Sequence, residues 1–171
     1  GLFAWLAMGW MAQAKTLSTD KKDETSPEKA ALMIKQWMKR SKASLEVDEE
    51  RYPELLQQVE QLIASPNDAA TTALLHSMLA EMYQHYYLQN RWQIDQRSAL
   101  KGYVPKDVRE WSGNLFEAKI DEELNHSLQP DSLLKATPTR TYQTLLATGA
   151  DGDKLRPTLY EFLAYRAIEI Q

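Results

Sequence analysis

The 171-residue chain contains no cysteine. That absence excludes disulfides, thiolate-ligated zinc, thiol nucleophiles and a cysteine-linked lipid anchor. Glycine is scarce: there are six, none clustered, so no glycine-rich phosphate loop exists. A basic excess is missing too. The net charge of −4 leaves no electrostatic footprint for nucleic acid. Lys35, Lys39, Arg40 and Lys42 do cluster, as residues on a solvated helix face do. Histidine is rare as well, with three residues, and no pair has the H-E-x-x-H spacing of a zinc helix. Ser77, Ser98 and Ser112 lack a G-x-S-x-G setting.

What is present begins with an apolar start. Residues Leu2–Ala12 carry no charge, and Ala12-Gln13-Ala14 forms an A-x-A pattern with small residues at a cleavage position. This predicts residues 1–14 to be a secretory signal whose basic leading region is missing, with Gly1 in place of Met. The run falls short of the roughly 20 apolar residues a spanning helix needs, so no stable membrane span is expected after signal removal. Export to the periplasm or cell envelope follows from this reading. Residues 15–25 are polar and charged, as a disordered junction is. Residues 26–171 read as a helical domain that is expected to continue beyond Gln171, because no stop signal follows the last helix.

Helical periodicity dominates the rest. Ser26-Pro27 opens a helix over 27–43 with Ala30, Ile34, Trp37 and Met38 on one face. A second helix follows Pro53, with Leu55, Leu56, Val59, Leu62 and Ile63 at helical spacing. Asp68 is placed to cap a third, which carries Leu75, Leu79, Met82 and Tyr86. A fourth is expected from Asp107, with Asp107 and Glu110 as a capping box and Val108, Trp111, Leu115 and Ala118 as its inner stripe. Phe116, Ile120 and Leu124 widen the stripe, and Pro130 ends the helix. Thr139–Thr148 reads as a further helix stopped by Gly149. "ADGDKLR" reads as a loop, and Pro157 as the start of a last helix. No segment alternates with period two. The fold class expected is all-α, an irregular stack of antiparallel helical hairpins of tetratricopeptide-like kind, without a clean 34-residue repeat.

Chemistry is hard to find. Glu81 and His85 share a helix face without a second ligand, which fits a surface charge pair. Asp151-Gly152-Asp153 is a fragment of a calcium loop that lacks the remaining ligands. Tyr83, Tyr86 and Tyr87 with Trp92 suggest a ligand platform, but aromatics at helical spacing more often pack against the next helix. The expectation is therefore no enzyme, no cofactor, no metal site and no catalytic residue.

The stretch "QNRWQIDQRSALKGYVPKDVREWSGNLF", residues 89–116, stands apart. It reads as a connection fastened between two helices. Trp92, Tyr103 and Trp111 would be apolar anchors. Arg91, Arg97 and Arg109 would satisfy carbonyls and the carboxylates of Asp95, Asp107 or Glu110. A binding site on it stays open, since loops on rigid scaffolds often bind.

Together with "LLHSMLAEMYQHYYLQNRWQIDQRS", "GYVPKDVREWSGNLFEAKIDEELNHSL" and "LRPTLYEFLAYRAIEI", this stretch resembles the amino-terminal helical region of the alpha-2-macroglobulin family. The likeness is to bacterial envelope members, above all those of Bacteroides-type bacteria. It covers Asp68–Gln171 and more weakly Ser26–Ser65. Its most specific pieces are Asn90-Arg91-Trp92, Gly102-Tyr103, Asp107–Trp111 and Arg156–Tyr160. The resemblance implies a protease-trapping protein, with proteases or envelope proteins as partners of the full-length molecule. The family's thioester needs a cysteine, so bait and thioester would lie elsewhere, and no catalytic residue is carried over. The alternative is a tetratricopeptide-like protein-binding module of another envelope protein.

Overall fold

A computed structural model describes residues 26–40, 50–98, 101–146 and 152–171. Their regular structure is helical, with one isolated β-bridge between Pro138 and Thr158 and no strand. The fold class is all-α. The expected signal, the junction at 15–25 and the Gly149 stop lie outside the described residues.

In chain order the helices are α1 (Ser26–Arg40), α2 (Tyr52–Ala64), α3 (Ala69–Ile94), α4 (Gly113–Ser127), α5 (Asp131–Ala136), α6 (Gln143–Leu146), α7 (Gly152–Leu155) and α8 (Leu159–Ile170). Short 3-10 turns span Val108–Glu110 and Thr139–Tyr142.

Helix α3 is the axis of the molecule. Its 26 residues make a rod about 39 Å long. The carboxylate of Asp68 starts it by accepting from the Thr71 amide at 2.9 Å and the Thr71 hydroxyl at 2.7 Å. Burial pushes the Asp68 carboxyl upward, but the Thr71 hydrogen bonds outweigh it and hold the group below the usual carboxylate range. Ala70, Ala73, Leu74, Leu75, Met78, Leu79, Ala80, Met82 and Tyr83 are all buried. A helix with apolar residues on most of its circumference belongs inside, and α1, α2, α4, α5 and α8 pack against it. Near the end of the helix, Leu88 and Trp92 emerge into solvent.

Helix α2 carries Pro53 in its first turn, where a missing amide costs nothing. Its carboxyl end is closed by Asn67, whose Nδ2 donates to the Leu62 carbonyl at 2.6 Å and the Ser65 carbonyl at 2.9 Å. The Tyr52 hydroxyl donates to the Met82 carbonyl, and the Tyr83 hydroxyl to Glu60, which ties α2 to α3.

Three boundaries differ from expectation. The fourth helix starts at Gly113, with Ser112 as its cap, not at Asp107. Asp107 caps only a 3-10 turn, and Trp111 beyond it is extended. Ala118 is consequently exposed, and the inner face of α4 is Phe116, Ile120, Leu124 and Ser127. Residues 152–155 form helix α7 where a loop was expected. The last helix starts at Leu159, with Thr158 and Glu161 as a reciprocal capping box. Pro157 precedes it and gives its carbonyl to the Thr139 amide.

Candidate functional site

Residues 89–94 complete α3, so the connection proper is shorter than the sequence suggested, running from Asp95 to Ser112. It is built around Trp111. That indole is 5% exposed and packs against the Tyr83 and Phe116 rings, with centroids at 5.1 and 5.2 Å. Its Nε1 donates to the Pro105 carbonyl at 2.8 Å, so the one polar atom of the ring is satisfied. Arg97 donates to the Trp111 carbonyl at 3.2 Å and closes the loop from the other side. Gly102, at φ +74°, supplies the left-handed residue of the turn between them.

The other two proposed anchors are corrected. Trp92 is 79% exposed and Tyr103 58% exposed, with Val104 exposed beside Tyr103 in sequence. Trp92 lies on the outward side of the last turns of α3, whose inner side still buries Ile94. All three arginines make the kinds of contact expected. Arg91 pairs with Asp95 at 3.3 Å and Arg109 with Asp107 at 2.7 Å. Hydrogen bonds from the Arg109 side chain and amide hold the Asp107 carboxyl below its usual range. Arg97 meets a carbonyl. The six residues thus divide. Trp111 and Arg97 fasten the connection, Arg91 and Arg109 pair locally on its surface, and Trp92 and Tyr103 face solvent.

Tyr83 and Tyr86 are core residues. Tyr86 stacks between Tyr52 and Phe116, with centroids at 5.7 and 5.8 Å. The ligand platform is therefore not assembled from them; of that group Tyr87 is half-buried, with its hydroxyl donating to Asp95, and Trp92 is open.

No family model, curated protein or solved structure matches this chain.

Two polar clusters were invisible to residue spacing. In the first, Glu81 is no partner of His85. Its carboxylate accepts from Trp37 Nε1 of α1 at 2.7 Å and from Arg166 of α8, whose Nε also donates to Ser77 at 3.0 Å. His85 lies against the Tyr52 ring instead. In the second, the histidines are not isolated. His76 of α3 meets Glu123 of α4 at 2.5 Å, Nδ1 to Oε2. His126, one turn on from Glu123, brings its ring centroid to 4.9 Å from that of His76. One ligand atom from each of these three residues lies within 4.8 Å of the others. Glu122 stands nearby, its carboxyl held low by Lys119, with His126 and His76 contributing. Among the described residues this is the group able to hold a metal ion. No described helix is long and apolar enough to cross a membrane.

Proposed function

We propose that this chain is a non-catalytic helical module of an exported, protease-trapping protein of alpha-2-macroglobulin type. The family reading is supported by the resemblance over Asp68–Gln171, and an all-α chain fits its helical prefix. The observation that carries the role of the module is the exposure of Trp92 at the end of α3 and of Tyr103 and Val104 on the connection that Trp111 pins. Large aromatics held in water on a fixed backbone suit contact with another protein surface. The partner is a protein, reached in the periplasm or envelope, and proteases are engaged by the full-length molecule.

The alternative is a tetratricopeptide-like protein-binding module of another envelope protein. An irregular stack of antiparallel hairpins is the architecture expected under either reading, and in such stacks each unit touches mainly its neighbours. Here α3 touches five other helices and α6 returns to α1, a departure that bears equally on both readings.

The natural reading frame beyond Gln171 and the behaviour of its product decide. We expect sandwich-forming strands, a cysteine-containing thioester motif, and a protease held in a complex stable to gel filtration after cleavage. A frame that ends or continues in helical repeats, with no protease retained, would overturn the proposal.

A further inference from the structure

We propose that His76, Glu123 and His126 form a binding site for a borderline divalent transition-metal ion such as zinc, bridging α3 and α4. The site is independent of the family reading above. Its donors are two imidazoles and one carboxylate, a set that suits zinc and its first-row neighbours better than calcium or magnesium, which take oxygen donors. Glu123 and His126 are three residues apart, so α4 presents both on one face. His76 comes from the facing helix, and the packing of α3 on α4 sets the distance between the two backbones.

The geometry needs only a small adjustment. Ligand bonds of about 2.0–2.1 Å at tetrahedral angles place donor atoms roughly 3.3 Å apart. Here the three donors lie within 4.8 Å, and His76 and Glu123 are already at 2.5 Å. An ion entering between them would spread that pair and draw in His126. His126 is exposed, while the His76 and Glu123 side chains are 15% and 12% exposed and hold the base of the site. Three protein donors leave a fourth position facing solvent. A simple His–Glu surface pair accounts for the contact of His76 with Glu123 but not for the approach of a second imidazole.

The experiment uses the full chain, stripped with a chelator and dialysed, with zinc chloride as the probe in titration calorimetry. We expect one zinc per chain. At a hundredfold excess over the dissociation constant, the melting temperature should rise by about 5–10 °C. Magnesium and calcium should give no such shift. His126→Ala changes an exposed side chain, so the fold is kept, and zinc affinity should fall at least about tenfold. Glu123→Gln should act in the same direction. His85→Ala, which removes the histidine outside the cluster, should bind zinc as wild type does. Absence of stoichiometric binding, retention of full affinity in His126→Ala, or an equal loss in His85→Ala would each overturn the proposal.

Discussion

Single side chains in this molecule carry unequal weight, and two tryptophans show the range. Trp111 is buried among Tyr83 and Phe116 and gives its indole hydrogen to Pro105. Truncation to Ala removes the ring, leaves a cavity and orphans the Pro105 carbonyl. We expect a loss of about 3–5 kcal/mol in a urea titration. Trp92, with 79% of its surface in water, should change stability by no more than about 0.5 kcal/mol when truncated. Equal midpoints for the two variants would remove Trp111 as the anchor of the connection. Asp68 carries a different kind of weight. Its cap should be worth about 1 kcal/mol at neutral pH, measured as the effect of Asp68→Ala. Its carboxyl is held low in the folded chain, so the unfolded chain takes up the proton first as acid is added. The contribution is therefore complete above the ordinary carboxylate range, and it fades as pH falls through about 4 and below. Wild type and Asp68→Ala should converge in stability on that side and keep their difference at pH 7. A gap that persists unchanged at pH 2 would contradict the ionised cap.

At the level of elements, α1 and α8 are joined to α3 through one carboxylate. Glu81 receives Trp37 from one and Arg166 from the other. The Arg166 and Glu81 side chains are only 11% and 24% exposed, so the pair is partly shielded from water. Arg166→Ala leaves Glu81 short of its cation, and we expect it to cost about 1.5–3 kcal/mol. In a double-mutant cycle with Glu81→Gln, the two effects should fall well short of adding. Strict additivity would show that the two side chains act separately. Elements also differ in how far residue order reveals them. Asp68 and the apolar residues of α3 are legible because capping and periodicity are local. The start of α4 is not. Asp107 and Glu110 have capping-box spacing, but the chain between them makes only a 3-10 turn before Trp111 swings to the Pro105 carbonyl, and Ser112 caps instead. The Thr158–Glu161 box has the same spacing with a threonine and is legible in residue order, although Pro157 beside it competes as a helix start. Glu81 with Arg166, and His76 with Glu123, are separated by 85 and 47 residues. Such pairs exist only once helices are packed, and no spacing rule reaches them.

Across the whole molecule, the consequence of a long helix enclosed by five others is a gradient of protection along one rod. Amide hydrogens between Ala73 and Tyr83 lie on backbone surrounded by buried side chains. They should exchange with deuterated solvent only through opening of most of the structure, and so report the global free energy of unfolding. Those from Gln89 to Gln93 belong to the same helix, yet Gln89, Arg91, Trp92 and Gln93 face water, and of the last turn only Ile94 is buried. Fraying of those last turns should let them exchange sooner, without the rest of α3 opening. A single continuous helix would thus contain the slowest and some of the faster exchanging hydrogens of the protein. The crossover should fall near Tyr86 and Tyr87, where the stacked rings around Phe116 end.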